Sequence, residues 1–331
     1  MRKPLGIVFV LFFSVWFCSG QSFTNVPSFI QNNPNIYSLV VSRNDSIIYK
    51  ESFNQKKEHE LFNNQSITKS IVSLLIGIAI DKGFIISADE EILHFFPELK
   101  DDPDIFKHRI TIRQIMNQAS GLWHENLDSL QYFLSLPNPS RYVLEHPLVS
   151  EPGLNFQYNN AASHLLSVII YKSTSLPTLE FANKYLFSPL GITRVRWKKM
   201  NDGYYDGSGL LSVYLNTEDI NKIGRLILDS GYYKKKQIIS KKWIEPLLSP
   251  TLTYSTKWGM ENSRYAMCWY YSNYKDHNLI YAMGWGGQFL ILIPDLHAVI
   301  SANQNSESAT AIKQSNEFLS DIFPFLFNSL Q

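Results

Sequence analysis

Two cysteines in 331 residues leave little room for sulfur chemistry. Cys18 falls inside an N-terminal export signal, so the mature chain would keep Cys268 alone and close no internal disulfide. A chain of this length buries enough surface to do without one. Cys268 sits in YAMCWYY, an aromatic strand-like run where a buried, inert thiol is expected. The eight histidines form no HExxH pair, and one cysteine makes no thiolate cluster, so neither metal nor cofactor is expected. An excess of positive charge is also missing: 30 Lys and Arg face 29 Asp and Glu, which argues against nucleic acid as a partner. The run Lys234 to Lys236, after Gly231, Tyr232 and Tyr233, reads as a solvated turn. No serine has glycines two residues before and after it, so the nucleophile elbow of one large hydrolase class is absent. Internal repeats, low-complexity tracts and linkers are absent as well.

At 45% hydrophobic the chain is globular. Arg2 and Lys3 precede an apolar run from Leu5 to Phe17, then Cys18, Ser19, Gly20 and Gln21. About a dozen apolar residues suit a secretory signal and fall short of the roughly 20 that cross a bilayer. Residues 1–20 are therefore read as a signal peptide cleaved after Gly20, giving a periplasmic or secreted protein with no membrane span after cleavage. Cys18 also permits a lipoprotein reading, which the bulky Phe17 disfavours.

Beyond the signal, Ile36 to Val41 and Ser46 to Glu51 read as a β-hairpin around SRND. The stretch Ile71 to Ile80 is apolar on most helical faces and closes at Gly83, a candidate left-handed cap. From about Ser87 to Ser230 the pattern is helical, with Thr111, Asn160 and Thr217 as capping residues heading apolar periods. Strand signals return in YAMCWYY, NLIYAM, QFLILIPD and HAVISANQ, and Ala309 to Leu330 reads as one amphipathic helix. Strands at both ends with helices between predict an α/β fold, its sheet built from N- and C-terminal strands. Residues 21–331 then form one domain with a mainly helical insertion over roughly 87–230.

Three stretches carry chemistry. In NNQSITKSIVSLL, Ser66 opens a buried helix and Lys69 lies three residues on, on the same face. Ser66 could be an N-cap followed by a snorkelling lysine, or a nucleophile with a buried amine beside it as base. SxxK recurs at Ser272 to Lys275, in a polar connection that offers no helix terminus. The second stretch is EPGLNFQYNNAASHLL, where Tyr158 and Asn160 lie at a turn-to-helix junction. Other YxN copies, at Tyr214 and Tyr271, lack that setting. The third is Gly284, Trp285, Gly286, Gly287 and Gln288 before FLILIP; glycines entering a strand suit close backbone approach and an N–H offered to an oxyanion. His124 and His164 are expected to be structural.

In this order, SITKS with DKGFI, ITIRQIMNQASGLW, PGLNFQYNN, DGSGLLSVYLNTEDINKIGRLILDSG and GWGGQ before ILIPD resemble the serine β-lactamase-like family. That family includes penicillin-binding proteins, class C β-lactamases and related esterases. The resemblance spans nearly the whole mature chain. It implies Ser66 as nucleophile, Lys69 as its proton-transfer partner and Tyr158 as general acid or base. It further implies that Asn160 orients substrate and that the backbone N–H groups of Ser66 and Gln288 form an oxyanion hole. Trp285, Gly286 and Gly287 would border the substrate. Many members open the third motif with Lys or His, whereas Trp285 stands here, as in related esterases. That departure favours an uncharged ester or amide over a substrate carboxylate, unless Arg264 or Lys257 supplies charge. The expected activity is an exported serine hydrolase acting on a small ester, lactam or peptide-like substrate. The competing reading is a penicillin-binding sensor or cell-wall-binding module on the same scaffold.

Overall fold

The computed structural model describes residues 26–331. The segment expected to be a signal peptide, with Cys18 in it, lies outside the described residues. Asn44 and Asp45, both left-handed at φ 47° and 64°, turn strand β1 (Ile36–Arg43) into β2 (Ser46–Ser52), as a two-residue hairpin requires. Phe62–Asn63 (β3), Arg196–Trp197 (β4) and Val213–Leu215 (β5) form a small separate sheet in the order β3-β5-β4. Such short strands show no period of their own, so a helical pattern alone was expected over most of that region. Tyr232–Tyr233 (β6) and Lys236–Gln237 (β7) pair across left-handed Lys234 and Lys235, the expected lysine turn. The remaining strands are Tyr254–Ser255 (β8), Arg264–Ala266 (β9), Trp269–Tyr274 (β10), His277–Gly284 (β11), Gln288–Ile293 (β12) and Ala298–Gln304 (β13).

Eight strands make one antiparallel sheet in the order β2-β1-β13-β12-β11-β10-β9-β8, so both ends of the chain build it, as expected. All six residues of β12 are buried because the sheet is covered on both faces. Leu290 and Leu292 face the larger helical core, while Phe289, Ile291 and Ile293 face a second core closed by the C-terminal helices. The larger core wraps the helix Ile67–Asp81, which starts four residues before the expected apolar run and is buried from Ile67 through Ala79. Gly83 follows it at φ 75°, with Phe84 N–H reaching the Ala79 carbonyl at 2.9 Å.

Several local expectations are corrected. YAMCWYY is not one strand: Met267 and Cys268 are left-handed and form the turn between β9 and β10. Tertiary partners hold that turn, with Met267 N–H on Asn117 Oδ1 and Cys268 N–H on the Met116 carbonyl, both at 2.8 Å. Thr111 does cap its helix, in a reciprocal box with Gln114. The caps of the helices Asn160–Thr174 and Thr217–Leu228, however, are the preceding Asn159 and Asn216. The C-terminal helix is interrupted by a π-helical turn over Phe318–Ile322 between Ala311–Glu317 and Phe323–Asn328. Pro324 lacks the N–H that would continue the α-helical ladder there.

Candidate active site

Ser66 precedes the buried helix, yet its side chain makes no capping hydrogen bond. Its hydroxyl instead accepts from Lys69 Nζ at 3.0 Å. This overturns the simple cap reading: the Ser66 backbone is itself helical at φ −67° and ψ −6°, where a cap needs an extended residue, and the one-turn spacing brings the amine to its oxygen. Lys69 is 1% exposed. Its other hydrogen bonds run to Asn160 Oδ1 at 2.6 Å and to the Ser208 carbonyl. Three acceptors thus surround a group with three N–H bonds, which satisfies a buried amine that would otherwise be costly.

The amide groups after Ser66 are spent: those of Ile67, Thr68 and Lys69 bond the carbonyls of Asn64, Gln65 and Ser66. Among the described residues the Ser66 N–H finds no backbone acceptor. It stands at a helix start, where the dipole favours negative charge.

The second SxxK is a different object. Ser272 lies within β10 rather than in a loop, and its hydroxyl donates to the Glu261 carbonyl at 2.5 Å. Lys275 turns away to Asn328 Oδ1 at 2.7 Å.

Tyr158 places its ring centre 4.8 Å from Lys69 Nζ and meets Trp258 edge-on at 5.5 Å. Burial above all pushes the neighbouring Tyr265 and Tyr270 phenols well above their ordinary range, so both stay protonated beside it. The rival YxN tyrosines are occupied elsewhere, Tyr214 under Arg196 and Tyr271 on the Leu247 carbonyl. Because Asn159 takes the cap, with its Oδ1 on Ala162 N–H at 2.7 Å, the Asn160 side chain is left for Lys69.

The turn Trp285 to Gly287 joins β11 to β12 directly against the segment before Ser66. A Cβ on Gly284 would fall 2.6 Å from the Asn64 carbonyl oxygen, so only glycine allows that approach. The Gln288 side chain is buried away from the serine, accepting from Asn303 Nδ2 at 2.9 Å and donating to the Gln304 carbonyl at 2.9 Å. Asn303 also reaches Asn64 Oδ1 at 2.9 Å, which ties the turn to the nucleophile segment. Trp285 is about half exposed at the rim and also lines a surface groove of about 670 Å³ with Ala311, Ile312 and Lys313.

Two residues of this surround were missed in the sequence. Asp206 is fully buried and accepts from the N–H groups of Ser208, Gly209, Leu211 and Ser212 at 2.7 to 3.0 Å. That loop presents the Ser208 carbonyl to Lys69 and brings Gly209 so close that a Cβ would lie 2.8 Å from Ser66 Cα. The Asp-Gly-Ser-Gly composition signals a turn. Its partners are backbone groups with no signature. Glu125 is the other: its Oε1 accepts from Asn160 Nδ2 at 2.5 Å and its Oε2 from Ala161 N–H at 3.0 Å.

Neither histidine candidate contacts Ser66. His164 is buried against Asp202 at 3.0 Å, and His124 bonds the Glu125 carbonyl at 3.1 Å. Burial opposes the Asp202 charge, but the bonds and charge of His164 and the Ser140 hydroxyl hold its carboxyl below the usual range. Arg264 is turned to Thr253 and Lys257 is exposed beside Trp258, so neither bonds a residue of the motif cluster.

Cys268 is buried, and burial pushes its thiol up to about 12 despite the opposing influence of nearby Lys69 and Tyr265. Iodoacetamide at pH 8 is therefore expected to leave Cys268 unmodified in the folded protein and to alkylate it fully in denaturant. Peptide mapping checks this, and rapid native alkylation would contradict it.

The comparisons with known proteins bear on the family and the fold. The family described as Beta-lactamase matches residues 37–318. A 6-aminohexanoate-dimer hydrolase from Paenarthrobacter ureafaciens is 24% identical over 216 residues, 61% of this chain and 53% of that protein. The chain thus spans about half the length of that curated relative. Among solved structures, the octameric penicillin-binding protein homologue from Pyrococcus abyssi superposes with a TM-score of 0.72 at 18% identity, covering 91% of this chain and 76% of that one. A D-stereospecific amidohydrolase from Streptomyces sp. gives a TM-score of 0.66 at 15% identity, covering 87% and 94%. These likenesses carry the fold: a large antiparallel sheet flanked by helices, as in β-lactamases and transpeptidases. With the family matched across most of its length, the chain belongs to the Beta-lactamase family.

Proposed function

We propose that this protein is an exported serine hydrolase that cleaves a small, uncharged ester or amide through an acyl-enzyme on Ser66. The observation that carries the reading is Lys69 Nζ, buried, 3.0 Å from Ser66 Oγ and facing the Tyr158 ring at 4.8 Å. A neutral lysine has two N–H bonds and one lone pair. It could keep Asn160 Oδ1 and the Ser208 carbonyl as acceptors and turn the lone pair to the serine proton. Ser66 Oγ then attacks the substrate carbonyl, and the proton moves into the Lys69–Tyr158 unit. The oxyanion is held by the N–H groups of Ser66 and Gln288, a contribution whose loss costs on the order of a hundredfold or more. Tyr158 delivers a proton to the leaving group, and water then attacks the ester on Ser66, returning the proton to Oγ.

Trp285 in place of a cation, with Arg264 turned to Thr253, supports an uncharged substrate. Relatives named as a dimer hydrolase and an amidohydrolase support including amides. Steady-state hydrolysis of a short nitrophenyl ester and an aminoacyl nitroanilide, against a chromogenic β-lactam, tests this. The first two are expected to exceed the lactam at least tenfold in kcat/KM. Equal or faster lactam turnover would overturn the preference, and one stoichiometric acylation without turnover would replace the enzyme by the sensor. On the ester, Tyr158→Phe is expected to lower kcat by on the order of 10² to 10⁴ with KM little changed. A wild-type kcat in that variant would remove Tyr158 from proton transfer.

A further inference from the structure

We infer that Glu125 is a positioning residue: its carboxylate fixes which end of the Asn160 amide faces Lys69, and so aims the amine at Ser66. This rests on the hydrolase reading above. Glu125 is 8% exposed, and both of its oxygens are used, Oε1 by Asn160 Nδ2 at 2.5 Å and Oε2 by Ala161 N–H at 3.0 Å. The start of the helix Asn160–Thr174 favours a negative charge in that position. An ionised carboxylate only accepts hydrogen bonds. The amide must therefore present Nδ2 to Glu125, which leaves Oδ1 on the opposite side, where Lys69 Nζ donates to it at 2.6 Å.

The two ends of an amide are nearly the same shape, so sterics alone do not choose between them. Turned over, Asn160 would set its NH₂ against the N–H groups of Lys69. The amine would then keep only Ser208 and Ser66 of its three partners. The loop that carries Glu125 is itself pinned to the helix start, since Asn159 Nδ2 donates to the carbonyls of Leu122 and Trp123 at 3.0 Å each. An oriented group supported in this way matches what a preorganised site requires.

Glu125→Gln keeps the shape but offers one acceptor where two donors, Asn160 Nδ2 and Ala161 N–H, have to be met. The rate of Ser66 labelling by a fluorophosphonate on the full chain reads the effect. Glu125→Gln is expected to label at least tenfold more slowly than wild type while melting at a similar temperature. In an Asn160→Ala background the same change is expected to cost no more than about twofold, because a residue that acts through another loses its effect when that other is gone. Equal labelling of wild type and Glu125→Gln, or equal slowing in both backgrounds, would overturn the inference alone. A wild type that does not label would overturn the hydrolase reading and this inference with it. Should Glu125→Gln not fold, Glu125→Asp draws the carboxylate back by one methylene and is read in the same way: slowed labelling supports the inference and an unchanged rate overturns it.

Discussion

Ser66→Ala is expected to abolish fluorophosphonate labelling and to lower kcat by on the order of 10⁵, the scale on which the loss of a serine nucleophile registers. The same variant is expected to keep its denaturant midpoint, and so its unfolding free energy, essentially at the wild-type value. Had Ser66 been a helix cap, removing its hydroxyl would cost about 1 kcal/mol. Its oxygen instead has Lys69 as partner and no cap bond, so the helix loses nothing of that kind. Activity and stability therefore separate in a single substitution. Labelling that persists in Ser66→Ala would end the assignment of the nucleophile, and a loss of about 1 kcal/mol in denaturant unfolding with little loss of rate would restore the cap.

Lys69→Ala is expected to be nearly as damaging, at least about 10³ in kcat, because proton transfer and the orientation of Ser66 disappear together. The more telling variant is Lys69→Arg. A guanidinium keeps a positive charge and an ample set of donors but holds its proton at every accessible pH. It could stabilise charge without ever accepting the serine proton. If Lys69 contributes only a positive field, Lys69→Arg should retain much of the rate. If it contributes a lone pair, as proposed, both variants should fall to similar low rates. Steady-state ester hydrolysis with active-site titration distinguishes the two. Retention within tenfold of wild type in Lys69→Arg would exclude Lys69 as a proton acceptor.

What could be read in the sequence was whatever a local period or a short spacing encodes. The Asn44–Asp45 hairpin turn, the apolar helix after Ser66 and the β-branched, aromatic runs of the late strands are all written in neighbours a few residues apart. Ser66 and Lys69 belong to the same class, since three residues along a helix bring two side chains together. Tyr158 and the Gly284 to Gln288 turn were legible only as an ordered set, through resemblance. The choice between Asn159 and Asn160 was not legible, because two adjacent asparagines are equivalent as caps until the backbone decides which is extended. Glu125 and Asp206 escaped for a different reason. One meets an amide 35 positions away, and the other collects backbone N–H groups of its own loop. No residue type announces such partners. The split of YAMCWYY was hidden likewise, since Asn117 and Met116, far back in the chain, take the hydrogen bonds of its turn.

The pairing of Ile36 with Gln304, and of Asn64 with Asn303, sets an order of events in synthesis. A ribosome releases the Ser66 helix well before the strands that border it on one side, since the whole helical region lies between them in the chain. Closing so distant a pairing is slow and cannot begin until β12 and β13 are available. A nascent or truncated chain would thus carry its serine and lysine without the Gln288 amide beside them. The Gln288 segment and the Ser66 helix come together only once β12 and β13 have joined the sheet.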